Sequence, residues 1–145
     1  MDKALNSIQM LTDDLLTGLD YIDYQLWGLL KKVNMLVNAA KEGKAPDKVC
    51  EVMPFLEQYV TEHFTNEERL HEACNYPDME LHKEAHAKFR SDFSVVKAKY
   101  NNFIPDQSMV AELVTLITAW IADHIHNADK AFATFLKDSW DRGKI

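Results

Sequence analysis

The sequence is poor in several things, and each shortage excludes something. It has four glycines and four prolines in 145 residues, which is a globular composition rather than a disordered one. It has two cysteines, Cys50 and Cys74, without CxxC spacing. That is too few for a disulfide framework, and both are expected to be small, semi-buried, reduced thiols. Lysine and arginine total 16 against 23 aspartates and glutamates, a formal charge of −7. A nucleic-acid partner is not expected, because it would require a basic stripe facing phosphates. No apolar run approaches the roughly 20 residues that span a bilayer, so no membrane partner is expected. The stretch "MDKALNSIQMLTDDLL" has no basic region followed by an apolar one. No secretory signal is therefore expected, and the expected location is cytoplasmic.

What is present is a large apolar complement, 47% of the residues, enough for one core in a single domain over 1–145. The breaks are "KEGKAPDK" (41–48), "CNYPDME" (74–80) and "YNNFIPDQS" (100–108), each with proline and turn-forming residues. Between them the apolar residues recur at three and four, which predicts helices from about Leu19 to Lys41, Asp47 to Ala73, Met79 to Tyr100 and Ser108 to Lys137. The expected inward residues are Leu19, Ile22, Leu26, Leu29, Val33, Leu36 and Ala40 in the first helix. The second has Val49, Val52, Leu56, Tyr59 and Val60, and the third Phe89, Phe93 and Val96. The fourth has Val110, Leu113, Ile117, Trp120, Ile121 and Phe135. Short connections make consecutive helices antiparallel neighbours. The expected fold is all-α, an antiparallel up-down-up-down four-helix bundle, with residues 1–18 as an N-terminal arm and 138–145 as a fraying polar tail.

Three of the inward stripes run into polar residues. The second continues through His63, Glu67 and His71 at steps of four, the third begins with His82 and His86, and the fourth leads to His124. Residues four apart share one helix face. Burying a carboxylate and several imidazoles without partners costs several kcal/mol. A metal taking nitrogen and oxygen ligands offsets this, and the mixed set suits iron, manganese or zinc more than calcium or magnesium. A single inward histidine would usually be a hydrogen-bonded core residue; four with a glutamate on three stripes point to a shared metal site. His126, two residues from His124, is expected at the surface.

The segments "HFTNEE" (63–68), "HKEAH" (82–86) and "HIHNAD" (124–129) closely resemble the HxxxE, HxxxH and HxxxxD motifs of hemerythrins. The flanking "TGLDYIDYQ" (17–25), "YPDMELHKEAH" (76–86) and "LITAWIADHI" (116–125) are similar too, so the likeness extends from about Leu11 to Leu136. It implies a non-heme, carboxylate-bridged pair of iron ions in a four-helix bundle that binds O2 or another small diatomic or anionic ligand. His82, His86 and His124 would hold one iron, Glu67 and Asp129 would bridge, and His63 would bind the second iron. Leu26, Trp120, Ile121 and Ile125 would line the ligand pocket, whose dryness would disfavour loss of charged superoxide. Asp129 comes from the motif alone: five residues from His124 it lies about 140° away on a straight α-helix.

The departure is in "IDYQL", where hemerythrins have IDxQH. Leu26 replaces the histidine that would bind the second iron, and leucine cannot coordinate. Three outcomes are open: a di-iron site with an extra open position, a second metal that is weak or absent, or another side chain in the gap. His71 lies about 6 Å further along the axis than the bridging Glu67, toward the other iron, which suits a supporting role better than ligation. Asp23 and Tyr59, one turn before Leu26 and His63, are the other candidates, with water the default. Three functions follow: an O2 carrier, store or sensor; a redox enzyme acting on O2, peroxide or NO through the open position; and a metal-poor helical interaction domain. A ferritin-like oxidase would need two Glu-x-x-His motifs, and only Glu68 to His71 supplies one. "HEACN" (71–75) lacks the second histidine of a zincin.

Overall fold

The computed structural model describes the backbone of residues 20–102 and 105–143, with side chains 20–22 and 45–46 outside that description. The arm expected over 1–18 and the inward Leu19 and Ile22 therefore fall outside the described residues. Helix α1 is Asp20–Lys41. A second rod joins α2 (Ala45–Gln58), a π-helical segment π1 (Tyr59–His63) and α3 (Phe64–Cys74). Helix α4 is Met79–Asn102. A fourth rod joins α5 (Gln107–Trp120), π2 (Ile121–Asp129) and α6 (Lys130–Asp141). No strand occurs among the described residues. Helix α1 packs on α2 and α5, α3 on α4, and α4 on α5, giving the expected four-helix bundle.

The breaks work through identifiable caps. Lys44 N–H donates to Ala39 O at 2.7 Å and Gly43 N–H to Ala40 O at 3.2 Å. That pair is a Schellman motif, and it needs Gly43 at φ +74°. The second rod ends the same way, with Asn75 at φ 54° and Tyr76 N–H donating to His71 O at 2.9 Å. Asp106 caps α5 by accepting from Met109 N–H at 2.9 Å. Pro54 sits inside α2 on its exposed side, and the rod continues past it. Cys50 is exposed rather than semi-buried, and accepts a hydrogen bond from the Tyr100 hydroxyl at 3.2 Å.

The expected stripes are buried from Leu26 to Leu36 in α1, Val49 to Val60, Phe89 to Val96, and Val110 to Ile121. The fourth rod departs from expectation beyond that. Phe132 and Ala133 are buried, whereas Phe135 is only half-buried. The wider π2 turns explain this, because they shift the inward face of everything after them. The helix also runs one turn past Lys137, and Ser139 is buried, so the residues expected to fray include the last helical turn. The rod from Gln107 to Asp141 contains an 18-residue window apolar enough to cross a membrane by length and composition, contrary to the sequence reading; 44% of that window is buried in the bundle.

The apolar interior is in two parts. The larger runs from Leu26 to Ile125, and a smaller one contains Cys74, Tyr76 and Phe132. The buried polar residues lie between them: Phe64 of the larger part stacks on His86, and Phe132 of the smaller meets His71. Phe64 is fully buried and also packs on Tyr59, Phe89 and Trp120. Phe64→Ala is expected to cost about 3–5 kcal/mol by urea denaturation of the metal-free chain. A loss below about 1 kcal/mol would mean the site collapses around the cavity.

Candidate metal centre

The site is assembled by helix irregularities as much as by spacing. Along π2 the hydrogen bonds run i to i+5, so residues five apart lie nearly above one another. His124 and Asp129 are five apart, and π2 spans both. This is why Asp129 turns inward, where a straight α-helix would point it away. On the second rod, π1 ends at His63 and lets neighbouring residues share the inward side: Tyr59, Val60, His63, Phe64 and Glu67 are all buried.

Five ligand-type residues converge. One atom each from Glu67, His82, His86, His124 and Asp129 lies within 4.8 Å of all the others, and all five residues are buried. Glu67 is the hub. Its Oε1 is 2.5 Å from His82 Nε2, 3.5 Å from His86 Nε2 and 4.0 Å from His71 Nε2. Its Oε2 is 3.2 Å from His63 Nε2. Asp129 Oδ1 is 2.9 Å from both His82 Nε2 and His124 Nε2. His63 is thus outside the five-residue set and reaches it through the far oxygen of the shared carboxylate.

These donors suit a cation. Both oxygens of Glu67, and Nε2 of His86 and His124, lack a hydrogen-bond partner among the described residues although nitrogens and oxygens crowd them. Lone pairs brought close without hydrogen-bond geometry are costly unless a positive ion lies between them. Three imidazoles and two carboxylates are the donor set of a transition metal.

The electrostatics agree. Burial pushes Glu67 up, but His63, His82 and His86 more than offset it and hold the carboxyl well below its usual range. Burial lowers His82, yet its hydrogen bond to Asp129 and its close approach to the Glu67 carboxylate raise it to about 9. Burial dominates at His86, which is lowered.

The other candidates stand apart from the five. Leu26 is 3% exposed and belongs to the apolar core with Ile121, Ile125 and Trp120. Tyr59 stacks on His63 at 4.8 Å, and its hydroxyl accepts from Trp120 Nε1 at 3.4 Å. Asp23 is half-buried on α1, and His126 is half-buried rather than at the surface. A groove of about 360 Å³ between α4 and the fourth rod reaches Trp120 and His124; Leu26, Ile121 and Ile125 do not line it. Phe64 and Phe132, which wall the cluster, were not among the expected inward residues. Their signal is the run of inward residues too dense for an α-helical stripe.

His71 lies on the Phe132 side, 4.4 Å from the His82 ring and 4.3 Å from Phe132. Burial lowers it to about 4. Since the ordinary value is 6.5, its stabilising contribution is present above pH 6.5 and is lost as pH falls toward 4. His71→Met is expected to remove on the order of 3 kcal/mol of acid destabilisation across that window. Urea titrations at pH 7 and 4.5 check this; an unchanged difference between the two pH values would refute it.

The hemerythrin HHE cation binding domain family matches residues 17–136. The chain belongs to the hemerythrin family. Among hemerythrin relatives, it is 30% identical over 127 residues to bacteriohemerythrins of Pseudomonas paraeruginosa and Pseudomonas aeruginosa, covering 88% of this chain and 80% of each relative. It is also 30% identical over 125 residues to the bacteriohemerythrin of Stenotrophomonas maltophilia, covering 86% and 79%. The hemerythrin match spans all five clustered residues, His63 and Leu26.

Proposed function

We propose that this hemerythrin is a non-heme di-iron protein that binds O2, for carriage, storage or sensing, with an altered second iron site. The observation that carries the reading is the convergence of five buried ligand-type residues with His63 on the far side of Glu67. His82, His86 and His124 would hold the first iron, Glu67 and Asp129 would bridge, and His63 would hold the second. Iron in such a site supplies reversible binding of O2 through a change in its oxidation state. The chain supplies the rest. Leu26, Ile121, Ile125 and Trp120 belong to one apolar cluster, and Trp120 stacks on His124 at 3.8 Å; such a lining would keep water and proton donors from a bound ligand. Glu67 and Asp129 provide two negative charges that offset those of the metals. The single domain lies in the cytoplasm, a compartment that suits two free thiols.

Leu26 supports a second reading. It leaves the second iron one protein ligand short, and an open position on a redox metal favours turnover of O2, peroxide or NO. Two measurements separate these: iron per chain, and the optical spectrum of oxidised protein with azide and of reduced protein with O2. A reversible charge-transfer band supports O2 binding. Two irons with rapid, irreversible oxidation favour the enzyme. One iron or none defeats the di-iron reading.

A further inference from the structure

His86 has two ends, and only one faces the cluster. Its Nε2 is 3.5 Å from Glu67, and its Nδ1 is 3.8 Å from Glu68 Oε2. The ring stacks flat on Phe64, with centroids 4.0 Å apart and planes 4° from parallel. Glu68 is held in turn by Arg90, whose Nη2 donates to the same Oε2 at 3.3 Å. Arg90 lies over the Phe64 ring at 5.2 Å, and its Nε donates to Val60 O at 3.4 Å. Val60 belongs to π1, the segment that delivers His63. One arginine on α4 thus meets the carboxylate behind His86, the ring against His86, and the backbone that carries His63.

We propose that Glu68 and Arg90 are positioning residues acting as one unit, orienting His86 for metal and holding π1 in register with it. The proposal rests on the metal reading above. An imidazole that gives Nε2 to a metal carries its proton on Nδ1. An acceptor there fixes the tautomer and makes the ring a better donor. His86 Nδ1 has no hydrogen-bond partner among the described residues, and Glu68, 3.8 Å away, is the carboxylate placed to accept from it when metal holds the ring. Arginine suits its place because its planar fork can serve two acceptors and lie on an aromatic face at once, which lysine cannot. The pair is partly exposed, with Glu68 at 19% and Arg90 at 39%. Such a pair contributes little to folding, so its effect falls on the metal site rather than on the fold.

The test is zinc affinity of the metal-free full chain, measured against a competing chelator, beside urea midpoints of the same metal-free samples. Glu68→Ala is expected to weaken zinc about ten- to hundredfold with an unchanged midpoint. Glu68→Gln keeps an acceptor without the charge and should lie between. Arg90→Lys should shift affinity in the same direction. Glu68→Ala combined with Arg90→Ala should be no worse than the weaker-binding single variant, as expected of one unit. In the iron-loaded protein, Glu68→Gln should raise the reduction potential, because a nearby negative charge no longer favours the ferric state. Unchanged affinity in Glu68→Ala, or a midpoint that falls with it, overturns the proposal. Failure of the unsubstituted chain to bind zinc would defeat the metal reading itself, and this inference with it.

Discussion

Leu26→His is expected to raise second-metal occupancy and to favour reversible O2 binding. Leu26 lies in the first two turns of α1, 3% exposed, in the apolar cluster that contains Tyr59, Ile121 and Ile125. On the proposed reading, a histidine there would be a direct ligand. Its effect on second-metal affinity should therefore exceed the roughly 10–100-fold that a supporting partner contributes. The same substitution should destabilise the metal-free chain, because a buried imidazole without a partner costs about 1–3 kcal/mol. The signature is opposite signs: lower stability without metal and higher stability with it. Metal content after dialysis and urea denaturation with and without iron give both numbers. If metal content and O2 behaviour are unchanged, the gap left by Leu26 is already filled by another side chain.

Glu67→Gln is expected to be the most damaging substitution at the centre. It keeps the side chain's shape and removes the charge that His63, His82 and His86 all approach. Metal affinity should fall by more than about 100-fold, beyond the range of a supporting residue. The metal-free fold should suffer as well. His82, raised to about 9, is protonated at neutral pH with Glu67 and Asp129 as its counter-charges. Removing one member of a buried pair costs about 3–5 kcal/mol, and the lower end is expected because Asp129 remains. The pH dependence is fixed by sign. His82 is raised, so its contribution is complete below pH 6.5 and fades as pH rises through about 9. Glu67 is depressed, so its contribution is present above its usual range near pH 4.3 and is lost on acidification. The gap between Glu67→Gln and the unsubstituted chain should therefore be widest between about pH 5 and 8 and close above 9. A gap that persists at pH 10 would mean that Glu67 supports the fold through packing rather than through charge.

The ionic centre explains why so polar a layer is tolerated in the middle of a bundle. Phe64 and Phe132 wall it on two sides, and these apolar surfaces keep water from screening the charges. The same walls make His71 a liability in acid, since no described hydrogen bond compensates its burial.

The sequence alone determined the class of fold and most of the ligand-type residues of the polar layer. Apolar steps of three and four specify four amphipathic helices, and short turns leave little choice but an antiparallel bundle. Histidines and a carboxylate on inward stripes specify a polar layer, because they continue a face that burial has already chosen. Tertiary structure decided what spacing could not. Asp129 enters the cluster because π2 winds more widely than an α-helix, and the same widening moves the buried face from Phe135 to Phe132. Periodicity analysis assumes one angle per residue, so it fails where that angle changes. Nor could the sequence pair Glu68 with Arg90, 22 residues apart on different rods. By resemblance the sequence singled out Leu26 as the departure, and the fold shows what that residue does: it is packed into the apolar core.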